Sequence, residues 1–96
     1  MSAATKDLKC RLEKSGHAHV VVFHREDGEE IFVLPAERLD VPTLEKLKAQ
    51  KVRCAVDGPL DDGTSSISVH GEAGELLFQQ SVWIRAAAWN RLLRDP

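Results

Sequence analysis

The groups in this sequence able to do chemistry are 4 histidines, 2 cysteines and 15 acidic residues. Two of the histidines recur in one pattern: His24 leads into Glu29 in HREDGEEIF, residues 24–32, and His70 leads into Glu75 in HGEAGELLF, residues 70–78. A carboxylate facing an imidazole across a hairpin favours the charged imidazole. A catalytic dyad also needs a nucleophile or a third orienting group, and the turns REDG and GEAG supply none that recurs. The pairs therefore read as solvated contacts at hairpin ends, and no catalytic residue is assigned.

Cys10, His19 and Cys54 are of the types that bind zinc, and a four-residue turn over 13–16 would set His19 across from Cys10. Their spacing matches no established zinc signature. Both cysteines also fall in the apolar phase of their segments, where a free thiol behaves as a small hydrophobe. No metal or cofactor site is expected. The acidic loops EDGEE and GEAGE repel phosphate, and neither a G-x-S-x-G elbow nor an H-E-x-x-H pair occurs. The reading is non-enzymatic.

Nucleic-acid binding is the alternative class. Lys9, Arg11 and Arg53 fall on outward strand positions, and Lys46 and Lys48 lie near the end of a short helix. Against this stand Glu13, Asp57, Asp61 and Asp62 near the same edge, one candidate stacking aromatic in Trp83, and a net charge of −2. No apolar central region marks a signal peptide in MSAATKDLKC, and no run is long enough to cross a membrane. A soluble, cytoplasmic protein with reduced cysteines is expected.

The elements that position these groups follow from periodicity. LKCRLE (8–13) and VRCAVD (52–57) both alternate strictly, as half-buried strands do, and they match as Leu8/Val52, Lys9/Arg53, Cys10/Cys54 and Leu12/Val56. Together with the echo at 24–32 and 70–78, this predicts an α+β domain built by internal duplication, βββα-βββα. The 96 residues form one domain, its halves at about 6–50 and 51–96 sharing one core. Strands are expected over 7–13, 17–24, 29–34, 51–57, 64–70 and 75–80. Val41, Leu44 and Leu47 form one side of a helix after Asp40, with Pro42 separating a turn from it. Ser81 caps a second, amphipathic helix over 81–94, its stripe made by Val82, Ala86, Trp89 and Leu93.

Closing REDG as a four-residue turn pairs His24 with Glu29, Val22 with Ile31 and Val20 with Val33; the same register pairs His70 with Glu75 and Ser68 with Leu77. The face expected to be wet is then apolar in the first half, with Val20, Val22, Ile31 and Val33, and mostly polar in the second, with Ser66, Ser68 and Gln79. Such a face needs a cover. With Trp83 added, these residues are the expected docking surface of a protein-interaction or regulatory module. Its occupant would be a protein partner or a second copy in a homodimer.

Overall fold

A computed structural model describes residues 4–60 and 62–94. Asp61 lies outside them. The chain runs β1 (Ala4–Ser15), β2 (Ala18–His24), β3 (Glu30–Pro35), a 3-10 turn (Ala36–Arg38), α1 (Val41–Lys48), β4 (Val52–Gly58), β5 (Ser65–Gly71), β6 (Leu76–Val82) and α2 (Ala86–Arg94). The six strands form one antiparallel sheet in the order β3-β2-β1-β4-β5-β6. It is an α+β fold, a curled sheet with two short helices.

Strand β1 is longer than the alternation of LKCRLE suggests, because its two ends have different partners. Ala4 to Leu8 pair with β4, with Leu8 opposite Cys54, whereas Lys9 to Ser15 pair with β2. The polar arm ATKD carries no apolar alternation, so only the ladder with β4 makes it a strand. The turn after β1 is also tighter than expected: Ser15 pairs with Ala18, leaving Gly16 and His17 to turn the chain, with Gly16 at φ 63°. His19 is therefore opposite Lys14, while Cys10 is opposite Phe23. Cys10 and Cys54 are joined in a disulfide with a Cα–Cα distance of 6.6 Å. The expectation of reduced cysteines is corrected.

Both nine-residue echoes close as hairpins with the same hydrogen bonds. Arg25 N–H donates to Glu29 O and Gly28 N–H to Arg25 O; in the second half Gly71 N–H donates to Glu75 O and Gly74 N–H to Gly71 O. Gly28 at φ 94° and Gly74 at φ 87° take the left-handed backbone that these turns demand. Each hairpin also carries a register shift at the same place, between Phe23 and His24 and between Val69 and His70. This overturns the simple register. Val22 is opposite Val33, Phe23 opposite Phe32 and His24 opposite Glu30, while Ser68 is opposite Gln79, Val69 opposite Phe78 and His70 opposite Leu76. The extra residue of a bulge moves Glu29 and Glu75 out of the ladder and into turn closure.

The core lies on one face of the sheet. Leu8, Cys10, Val21, Phe23 and Leu34 from the first three strands meet Cys54, Val56, Ile67, Val69 and Val82 from the last three. The helices cover them with Leu47, Trp89 and Leu92. Helix α1 begins where Asp40 accepts a hydrogen bond from Thr43 N–H at 3.0 Å, with Pro42 in the first turn where its missing N–H costs nothing. Its inward residues are Thr43 and Leu47, with Leu44 partly buried and Val41 exposed, so the expected stripe is rotated. Helix α2 starts five residues later than the expected Ser81 cap. Ser81 and Val82 instead extend β6, pairing with Ser66 and Ser65, and the ladder holds them extended. Trp89 and Leu92 are its buried residues, and Leu93 points outward.

Candidate interaction surface

The histidines do not meet the carboxylates proposed for them. His24 donates from Nδ1 to the Arg25 carbonyl at 2.8 Å, and His70 Nε2 lies 3.2 Å from Ser68 Oγ. Glu29 turns to Arg25 at 2.9 Å and to Arg91 of α2. Glu75 accepts from Ala73 N–H at 3.1 Å and lies 3.7 Å from Lys46 of α1. Backbone hydrogen bonding at its own turn, followed by the Lys46 charge, holds the Glu75 carboxyl below the usual range. Asp40 and Asp62 are lowered in the same direction, chiefly by hydrogen bonds from Thr43 and Thr64. These are structural carboxylates closing turns and capping a helix. Among the described residues, no group of three His, Cys, Asp or Glu side chains is placed to hold a metal ion.

The five basic residues considered for nucleic acid do not make one surface. Arg11 bonds to Glu13 and lies 3.4 Å from Glu30, and Lys46 is paired with Glu75. Lys9 and Arg53 do come together, lining a cleft of about 350 Å³ where β1 and β4 part company, but Asp7 and Glu26 line it too. Lys48 borders a different cleft with Leu12 and Leu44. Opposed charges therefore face every grouping.

The apolar face resolves differently from expectation. Val22 is only 2% exposed. Its neighbours in register are Arg11 on β1 and Val33 on β3, and the Arg11–Glu30 ion pair spans from β1 to β3 across β2. The arginine stem and its ion pair thus roof Val22, as long cationic side chains do over apolar surface. Ile31 packs against the core instead of the outer face, displaced by the bulge. Val20 is half-buried between Glu13 and Pro35. Of the five docking residues, Val33 at 44% and Trp83 at 70% remain exposed. They sit at opposite margins of the sheet, one on β3 and one just past β6.

Sequence reasoning missed the company Trp83 keeps. Leu76, at the other end of β6, is 55% exposed, and Leu60 on the β4–β5 loop is also exposed. The Trp83 ring lies against Gly63 of that loop, where a Cβ would stand 3.0 Å from it. Strand β6 pairs with β5 alone, so its second edge is free among the described residues. Its sequence, LLFQQSV, has no charge and no proline. That composition was visible from the start, but its meaning depends on edge position. No helix among the described residues is long and apolar enough to cross a membrane. Comparison with known protein families, with curated proteins and with solved structures finds no match to this chain.

Proposed function

We propose that this chain is a small non-enzymatic interaction or regulatory module that binds a partner protein, or a second copy, through the margin of its sheet. The observation carrying this reading is that Leu76 and Trp83, two of the six large apolar side chains exposed among the described residues, flank an edge strand whose outer side has no strand partner. Exposed apolar groups gathered at one place mark interaction sites more often than the scattered ones every protein carries. The polar constellations are accounted for by turns, caps and ion pairs. Trp83 replaces Val22 as the expected centre, because a tryptophan braced on a backbone supplies contact area with little entropy to lose.

We also read the domain as an internal duplication. The matched registers and matched bulges support this, as does a reciprocal exchange between halves. Helix α1, following the first three strands, pairs Lys46 with Glu75 in the second hairpin; α2, following the second three, pairs Arg91 with Glu29 in the first. With the connection from hairpin to helix one residue shorter in the second half, Val41, Leu44, Lys46 and Leu47 correspond to Ala86, Trp89, Arg91 and Leu92. Each helix reaches the other half's hairpin.

The interaction reading is tested with the full chain and its Trp83→Ser variant. A partner is isolated from the native host with the wild-type protein, and its affinity for both forms is measured by calorimetry. A loss of about 2 kcal/mol or more is expected for a hot-spot tryptophan. Equal affinity, with both forms folded by circular dichroism, removes Trp83 from the surface.

A further inference from the structure

The two margins of the sheet are protected unequally. Strand β3 ends in Pro35 and begins with Glu30, and Arg11 reaches Glu30 from two strands away. Charge, proline and short length are the devices that keep an edge from pairing with another chain. Strand β6 has seven residues and neither a charge nor a proline. Its outer half-ladder of backbone N–H and C=O groups has no protein partner among the described residues.

We propose that β6 pairs antiparallel with β6 of a second copy, joining two sheets into one across a twofold axis at Gln80. This rests on the interaction reading above and names its partner. The register follows from the faces. Phe78 and Val82 point to the core side with Gln80, as Phe78 is opposite Val69 and Gln80 opposite Ile67, while Gln79 and Ser81 point outward opposite Ser68 and Ser66. With Gln80 on the axis, Phe78 of each copy meets Val82 of the other, and Gln79 meets Ser81. Apolar faces apolar on the inner side, and hydrogen-bonding groups face each other on the outer side. Trp83, its ring resting on Gly63, then stands in register with Leu77 of the other copy, with the exposed Leu76 one position beyond. The strand itself carries no charge, and the cation at its midpoint, Arg38 of the 3-10 turn, is held by Gln80 Oε1 at 3.2 Å. Donated main-chain hydrogen bonds supply affinity, as in other strand additions.

The test exploits Gln79 and Ser81, which are exposed, Gln79 giving up a surface hydrogen bond to Ser66 Oγ when replaced. Sedimentation of the wild-type chain over a wide concentration range should show a monomer–dimer equilibrium. Gln79→Lys combined with Ser81→Lys sets lysines opposite lysines twice and should weaken dimerisation at least tenfold. The corresponding Gln79→Glu and Ser81→Glu chain should do the same, and mixing the Lys chain with the Glu chain should restore a heterodimer. Circular dichroism of each chain establishes that it is folded. A wild type that stays monomeric at the highest concentration, or a folded Lys chain that dimerises as well as wild type, overturns the proposal. A monomeric wild type that binds a native partner through Trp83 ends self-pairing and leaves the interaction reading standing; a monomer with no Trp83-dependent partner ends both.

Discussion

At the scale of residues, the buried polar groups are few and satisfied. Trp89 donates from Nε1 to Ser65 Oγ at 2.7 Å inside the core, and no buried side-chain N or O among the described residues lacks a partner. Trp89→Phe keeps most of the apolar body and strands the serine hydroxyl, so a loss of about 1–3 kcal/mol is expected in urea denaturation. Ser65→Ala introduced into that variant should recover part of the loss. Val22→Ala, which empties space under the Arg11–Glu30 arch, should cost about 2 kcal/mol by the same measurement. The pH dependence follows from Asp40, Asp62 and Glu75, all lowered from ordinary values of 3.8, 3.8 and 4.5. A lowered carboxyl binds its proton less readily folded than unfolded. Its contribution is complete above the ordinary value and is lost as pH falls through the folded one. Melting temperature should therefore hold steady above about pH 5 and decline below about pH 4, with a smaller acid decline in Asp40→Asn.

At the scale of elements, the decisive feature is the divided strand β1. Its first five residues bind it to β4 and the rest to β2, so it alone connects the two three-stranded groups within the sheet. The Cys10–Cys54 bond crosses this seam just where the β1–β4 ladder stops after Leu8. With 44 residues between its ends, the cross-link restrains a long loop of the unfolded chain. Its removal by Cys10→Ala with Cys54→Ala should cost about 2–4 kcal/mol. The wild type should show the same drop in denaturation midpoint when reductant is added, and the double variant none. An unchanged wild-type midpoint under reductant would remove the cross-link from the stability of the fold.

At the scale of the whole molecule, the two halves contact each other through their helices as well as their strands. Lys46–Glu75 and Arg91–Glu29 are partly exposed, so solvent and salt screen both. Their value to the argument lies in reciprocity. Lys46→Glu and Arg91→Glu should each lower stability slightly and by similar amounts, and Glu75→Lys should restore the first while Glu29→Lys restores the second. Failure of both rescues would reduce the pairs to incidental surface contacts. What differs between halves is the outer face: Val20, Val22 and Val33 stand where Ser66, Ser68 and Gln79 stand in the other. Val22 beside Arg11 and Ser68 beside His70, both buried, are two ways to finish one sheet.

The sequence by itself determined the six strands, the glycine turns at Gly28 and Gly74 and the resemblance between its two parts, because alternation and turn glycines are local signals written into neighbouring residues. The alternation of LKCRLE and VRCAVD also set Leu8, Cys10, Cys54 and Val56 on the inward phase. Bulges were beyond its reach: one extra residue in each hairpin moves Ile31 inward and pulls Glu29 and Glu75 from their histidines, and nothing in HREDGEEIF separates that register from the simpler one. The start of α2 was hidden for a related reason, since SVWIR satisfies helical spacing until β5 holds Ser81 and Val82 extended. Which strand ends the sheet, and which cysteine meets which, depend on contacts between residues far apart in the chain. Tertiary structure alone decided those, and with them the margin where LLFQQSV has a strand on one side only.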